Sequence, residues 1–215
     1  MAAKKKRGRV RNSDTRERIV DTAEHLIGRH GYDELRLRDI ANAVSIQIPS
    51  IYGHFDGREA IRAAVGERYV AGLREQFPYD GSSDPEEAIL SGTRQLVRHL
   101  ATHPGYTRLK LRDLEVPGGM PELNRASEGV SLENLTTGPL KELFDRISTI
   151  LQRGHEQDNF RKVSFIPFWR MLMGTTLVSL TWPTQEVLDR QPSPQALERI
   201  TQEIEHAVRR YLRPD

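Results

Sequence analysis

The sequence has no cysteine among its 215 residues, which excludes disulfide bonds and metal sites built from thiolates. Long apolar runs are missing as well. The longest charge-free apolar stretch, residues 171–183, is shorter than the roughly 20 residues that a helix needs to cross a bilayer. The N-terminus has no apolar segment typical of a secretory signal. We therefore expect a soluble, cytoplasmic protein.

Signals for strands and for catalysis are equally scarce. No stretch alternates apolar and polar residues over strand length, and no phosphate-binding glycine loop, nucleophile elbow or histidine–carboxylate metal motif is present. His99 and His103, four residues apart, would share a helix face without a third ligand. We predict an all-α protein that is not an enzyme and has neither a metal site nor a cofactor.

Helical spacing of apolar residues recurs along the whole chain. Asp14 and Glu17 are spaced as an N-terminal capping pair, and Gly31 is placed to end the first helix in a left-handed conformation. The stretch from Phe165 to Leu180 is apolar around most of its circumference, which indicates burial on several sides. We predict helices over residues 14–30, 37–44, 49–55, 58–77, 86–103, 106–114, 140–157, 165–180 and 196–212.

Charge and turn residues divide the chain into three parts. Residues 1–77 hold 15 Lys/Arg and 11 Asp/Glu, a net charge of +4, whereas the remainder holds 17 and 19, a net charge of −2. Six of the first eleven residues are basic, and such a segment cannot bury apolar surface. We predict a disordered basic arm (1–11), a small helical domain (12–72) and a larger helical domain (80–215), joined by a Pro/Gly/Ser linker around residues 78–85. A merely solubilising tail is the alternative for the arm.

Residues 36–55 have the pattern of a helix-turn-helix. Apolar residues at helical spacing face inward on the first helix, Ser45-Ile46-Gln47 forms the turn with Ile46 as a buried plug, and Pro49 suits the start of the second helix. Ile51 and Phe55 turn back to the core and leave polar residues facing outward. An ordinary helical hairpin would show the same spacing, so the spacing alone does not decide between the two.

Residues 15–72 resemble the N-terminal domain of the TetR family of bacterial transcriptional regulators. The resemblance is carried by Arg18-Ile19-Val20-Asp21-Thr22-Ala23, His30-Gly31-Tyr32, Arg38-Asp39-Ile40-Ala41, Ser50-Ile51-Tyr52, His54-Phe55 and Arg58-Glu59-Ala60-Ile61. It implies a sequence-specific DNA-binding regulator, expected to be a repressor that a small molecule releases from a palindromic operator. In the cell we expect such a protein to lie on the nucleoid.

The resemblance also implies residue roles on double-stranded DNA. Base edges or nearby sugars would be contacted by Gln47, Ile48, Pro49, Ser50 and His54. Phosphates would be contacted by Tyr52, Arg58, Arg36 and Arg38. Contacts to phosphates orient a protein on the duplex, and contacts to bases set its sequence preference.

Three residues depart from the family pattern. Arg36 replaces the hydroxyl residue that caps the second helix, and arginine can supply a phosphate contact but no cap. Ser45 replaces the turn glycine, so a non-glycine residue must accept that backbone. Ile48 replaces a frequent basic or small residue and is suited to contact a thymine methyl group.

The remaining two thirds fits the family in length and helical character. By that resemblance, residues 165–180 and 196–212 would form a four-helix interface in a homodimer; the alternative is that both faces pack inside a monomer. An unknown small-molecule effector would bind among the middle helices. The candidate lining residues, each of which also suits an ordinary core, are His103, Tyr106, Leu109, Phe144, Ile147, Trp169 and Met173. A helical enzyme and a nonspecific architectural DNA binder are the competing functions.

Overall fold

Helices make up all the regular secondary structure in the described residues, so the all-α prediction is confirmed there. The structure is a computed structural model that describes residues 2–78, 81, 84–116, 140–181 and 192–214, with the backbone alone for residues 2–13. No helix in these ranges is both long and apolar enough to cross a membrane. In chain order the helices are α1 (Ala2–His30), α2 (Leu37–Val44), α3 (Ile48–Tyr52), α4 (Arg58–Arg74), α5 (Pro85–Thr102), α6 (Pro104–Glu115), α7 (Lys141–Glu156), α8 (Phe165–Thr181) and α9 (Pro194–Leu212).

Two helix boundaries differ from the predicted ones in ways that matter. The structure continues α1 back to Ala2, through the segment predicted to be a disordered arm, because lysine and arginine favour helix and no proline interrupts the segment. α5 ends at Thr102, so His103 lies between two helices and does not share a helix face with His99. Residues 79, 80, 82 and 83 of the predicted linker lie outside the described residues.

The first of two compact units contains α1, α2, α3, α4 as far as Tyr69, and α6. α6 packs against α1 where two glycines meet. A Cβ atom on Gly105 would lie 2.3 Å from the carbonyl oxygen of Glu24, and one on Gly28 would lie 2.9 Å from the amide nitrogen of Gly105. Because the two backbones touch here, α6 belongs with the N-terminal helices and not with the domain predicted over residues 80–215.

The second unit contains the end of α4 from Val70, then α5, α7, α8 and α9. α5 is central, with contacts to the other three long helices. At the end of α4, Phe77 adopts a left-handed conformation, φ 57°, and its ring occupies the space where a Cβ atom on Gly92 would lie only 2.0 Å away. Arg146 donates a 3.1 Å hydrogen bond to the carbonyl of Phe77, which fixes this bend against α7.

Candidate nucleic-acid interface

α2 is anchored by its apolar side and lacks a side-chain cap. Ile40, Ala41 and Val44 are buried, so the opposite side of the helix faces outward. Arg36 is the N-cap residue, and its side chain makes no capping hydrogen bond. The guanidinium instead pairs with the Glu34 carboxylate at 3.1 Å on the exposed surface. The prediction that arginine does not supply the cap is confirmed.

Ser45 holds the turn between α2 and α3 in a left-handed conformation, φ 59° and ψ 47°. Its amide donates to the carbonyl of Asn42 at 3.2 Å, and the amide of Ile46 donates to the carbonyl of Ala41 at 2.9 Å. These two bonds close the end of α2. The serine therefore accepts the backbone that a glycine would adopt more easily. Ile46, expected to be a buried plug, is only half-buried.

α3 begins one residue earlier than predicted, with Ile48 as its first residue and Pro49 as its second. Both positions tolerate proline, because the first-turn amides of a helix have no partner within it. Ile51 is fully buried and Phe55 is 5% exposed, so the apolar side of α3 faces the core. The Phe55 amide donates a 2.9 Å hydrogen bond to the carbonyl of Ile51. The chain therefore continues from the end of α3 as a hydrogen-bonded turn that ends at Phe55.

The predicted DNA-contacting residues lie on the outside of this unit. Ile48 and Tyr52 are 38% and 58% exposed. His54 is half-buried. The other residues of the set are exposed: Arg36, Arg38, Gln47, Pro49, Ser50 and Arg58.

Three arginines to which the sequence analysis assigned no role brace the helix-turn-helix. Arg18 on α1 donates a 2.8 Å hydrogen bond to the carbonyl of Val44, which satisfies one of the unpaired carbonyls at the end of α2. Arg62 is buried, donates to the carbonyl of Tyr32 at 2.7 Å and pairs with Glu59. The sequence signal for Arg62 is its place beside the apolar stripe of α4, three residues after Glu59. Arg16 lies 4.7 Å over the ring of Phe55.

The basic residues in the N-terminal part of the chain are concentrated at its start. The first eleven residues contain six Lys/Arg and no Asp/Glu, so residues 12–77 hold nine Lys/Arg against eleven Asp/Glu, a net charge of −2. The excess positive charge of residues 1–77 therefore lies in the N-terminal turns of α1.

Three of the predicted pocket residues lie in the first unit, on or beside α6. Tyr106 and Leu109 are buried, and the His103 ring stacks on Tyr106 with 4.9 Å between ring centroids. Burial raises the pKa of the Tyr106 hydroxyl above its ordinary value, and the charge of Glu24 raises it further. Burial also raises the pKa of Glu24, although the neighbouring His103 and Arg68 oppose that shift.

The other four predicted pocket residues lie in the second unit, so the structure does not gather all seven within one unit. Ile147 and Met173 are buried core residues. Phe144 and Trp169 flank Phe165, with ring centroids 4.6 and 5.7 Å from its own. The rings of Phe144, Phe165 and Trp169 form an aromatic cluster, because apolar residues at helical spacing pack against one another in a core. Within the described ranges, no group of three His, Asp or Glu side chains is placed to hold a metal ion.

Comparisons with known proteins agree with this geometry. Residues 19–65 match the family of bacterial regulatory proteins described as the tetR family. The HTH-type transcriptional repressor ComR of Escherichia coli (strain K12) is 36% identical over 67 residues, which is 31% of either chain. The curated relatives match over 31%, 54% and 49% of their own lengths, so the chain aligns with at most about half of each.

Solved structures extend the likeness of fold to most of the chain. AibR, solved with isovaleryl coenzyme A and operator DNA, has a TM-score of 0.68 and 15% identity, covering 90% of this chain and 97% of that one. FadR of Bacillus subtilis, solved with stearoyl-CoA, has a TM-score of 0.65 and 15% identity, covering 91% and 98%. The curated relatives that match are HTH-type transcriptional regulators and not enzymes. The helix-turn-helix therefore lies within the stretch that matches the tetR family of bacterial regulatory proteins, and the fold of the chain is similar to that of solved regulators.

Proposed function

We propose that the protein is a repressor that binds a palindromic operator as a homodimer in the cytoplasm and leaves it when a small molecule binds. The observation that carries the proposal is the surface of α3, where Ile48 and Tyr52 stay exposed while Ile51 and Phe55 anchor the helix. An exposed isoleucine fits a thymine methyl group, and an exposed tyrosine hydroxyl fits a phosphate oxygen.

One face of α8 supports the homodimer. Pro167, Met171, Gly174 and Val178 follow one another at helical spacing; Met171 is half-buried and the other three are exposed. A Cβ atom on Gly174 would meet nothing within 4 Å, and Val178 is 55% exposed. Small and apolar residues on an exposed face let a second copy approach closely, and most soluble oligomers are two-fold dimers.

Two neighbours of known structure support a small-molecule effector, because AibR was solved with isovaleryl coenzyme A and operator DNA and FadR with stearoyl-CoA. Acyl coenzyme A thioesters are therefore the first effectors to screen for this chain. Release requires only that the effector binds more tightly to a form of the dimer whose reading helices are wrongly spaced for DNA.

Sequencing the genomic fragments that the purified protein retains tests the DNA proposal. We expect an inverted repeat whose half-site centres lie roughly 34–36 Å apart, one turn of the duplex. Ile48→Ala should relax the preference at one thymine per half-site, whereas Asn42→Ala, on the exposed side of α2, should leave the motif unchanged. Retained fragments without any shared motif would indicate an architectural DNA binder and refute the proposal.

Sedimentation of full-length variants tests the dimer. Val178→Glu should convert the dimer to a monomer, because it buries a charge on each side of the two-fold axis. Thr149→Glu places the same charge on the exposed side of α7 and should leave the dimer intact. A Val178→Glu protein that remains dimeric would rule out this face of α8.

A further inference from the structure

The second unit contains a cavity of about 200 Å³ that none of the predicted pocket residues lines. It lies between the start of α5, the segment after α7 and the end of α9. Its wall is formed by five buried apolar side chains together with polar residues at the mouth. The apolar members are Ile89, Leu90, Phe160, Val208 and Leu212.

Phe160 gives this cavity a fixed wall. Its amide donates a 3.0 Å hydrogen bond to the carbonyl of Gly154, and its own carbonyl lies 3.1 Å from the Nδ1 atom of His155. The ring occupies the space beside Gly154, where a Cβ atom would lie 2.0 Å from it. Only glycine at position 154 allows this placement, so the wall is built into the fold.

The end of α9 would ordinarily repel an anion, because the last carbonyls of a helix carry partial negative charge. Here three of those carbonyls accept hydrogen bonds. The amide of Arg161 donates to the carbonyl of Leu212 at 2.8 Å, and the amide of Arg213 donates to that of Arg209 at 3.0 Å. The Arg161 guanidinium also donates to the carbonyl of Tyr211. This pairing lowers the electrostatic cost of placing an anion at the cavity mouth.

The charged residues that line the cavity leave an excess of positive charge. Two arginines, Arg209 and Arg213, face one glutamate, Glu86, which gives +2 − 1 = +1. The Nε atom of Arg209 pairs with a Glu86 carboxylate oxygen at 3.1 Å, so these two charges largely cancel. Arg213 is exposed and makes no ion pair with any residue that the structure describes.

We propose that this cavity binds a small monocarboxylate, with its apolar chain against the five buried side chains and its carboxylate at Arg213. Pockets for drug-sized ligands measure about 300–1,000 Å³, so a cavity of about 200 Å³ suits a smaller, compact ligand. An arginine beside an apolar wall selects an anion over an alcohol or an amine of the same shape. The proposal is independent of DNA binding.

Titration of the full-length protein with hexanoate, followed by calorimetry and by methyl NMR shifts, tests the site. We expect shifts confined to the methyl groups of the cavity, chiefly Ile89, Leu90, Val208 and Leu212. Each buried methylene strengthens binding about fourfold, so butanoate should bind about fifteenfold more weakly. Hexanol and hexylamine, which lack the carboxylate, should bind at least about fivefold more weakly than hexanoate.

A matched pair of arginine variants tests the polar contact. Arg213→Gln should weaken hexanoate about five- to tenfold and leave hexanol unchanged. Arg210→Gln, an exposed residue of α9 that does not line the cavity, should bind hexanoate like the parent protein. The proposal is overturned by shifts outside the cavity, by hexanoate binding no tighter than hexanol, by an unchanged affinity in Arg213→Gln, or by no binding at millimolar hexanoate.

Discussion

Ser45 shows how one residue can keep a turn at a cost in stability. Its left-handed conformation costs a non-glycine residue roughly 1–2 kcal/mol, and the two hydrogen bonds that close α2 depend on it. Glycine adopts this conformation without strain. Glycine is the residue of the family pattern at this position, so replacing Ser45 by glycine should stabilise the protein.

We expect Ser45→Gly to raise the free energy of unfolding by about 1 kcal/mol, because relief of strain exceeds the added flexibility of the unfolded chain. Ala43→Gly, on the exposed side of the neighbouring helix, should lower it by about 1 kcal/mol. Urea unfolding of the two variants beside the parent protein measures both changes. A destabilised Ser45→Gly protein would show that the serine side chain contributes more than its backbone costs.

Glu24 makes the stability of the first unit depend on pH. Burial raises the pKa of this carboxyl above 4.5, so between 4.5 and the raised value the folded state keeps a proton that the unfolded state has lost. Stability therefore falls as pH rises through that interval. We expect Glu24→Gln to be more stable than the parent protein at neutral pH and equally stable below about pH 4.

Thermal unfolding across this pH range measures the effect. Glu17→Gln on the exposed side of α1 is the matched control and should not reproduce the difference. If the advantage of Glu24→Gln persisted unchanged into acid, its cause would be packing and not the titration of the carboxyl.

At the level of helices, most of the architecture could be read from the spacing of apolar residues, but the partner of α6 could not. The stripe of Ile19, Ala23 and Ile27 predicts the buried side of α1, and Gly31, φ 98°, ends that helix as its position predicts. Periodicity describes one helix at a time. The contact of α6 with α1 depends on Gly28 and Gly105, whose role appears only when two backbones meet.

Gly105→Ala tests that contact. The added Cβ atom would fall 2.3 Å from the backbone oxygen of Glu24, where no side chain can give way, so α6 must shift. Overpacking of this kind costs about 1–3 kcal/mol, and we expect a loss near the upper end in urea unfolding. Arg108→Ala, at an exposed position of the same helix, should change the free energy by less than about 0.5 kcal/mol. Equal unfolding midpoints for Gly105→Ala and the parent would mean that α6 does not need this close approach.

For the whole molecule, the exposure of the helix-turn-helix surface could be predicted from sequence and the cavity of the second unit could not. The residues proposed to contact DNA all lie between Arg36 and Arg58, so the spacing that resembles the TetR family locates them. The predicted pocket residues were chosen for apolar and aromatic character, and such residues close a core as readily as they line a cavity. Ile147 and Met173 are buried core residues for this reason. The cavity found here instead joins three segments far apart in sequence, which no local pattern reveals.

The distribution of charge over the molecule leads to a prediction about salt. Without its first eleven residues, the chain up to residue 77 carries a net charge of −2, so we expect the basic start of α1 to supply much of the nonspecific attraction to phosphates. We expect replacement of Lys4, Lys5, Lys6, Arg7, Arg9 and Arg11 by glutamine to flatten the dependence of log K on log salt by about 0.9 for each phosphate that the variant no longer neutralises. The preferred sequence should stay the same, because the proposed base contacts lie on and beside α3. Arg98→Gln with Lys162→Gln removes exposed charge from the second unit and should leave the slope unaltered. An equally flattened slope in both proteins would show that attraction follows total charge, and an unchanged slope in the first would remove the basic segment from the interface.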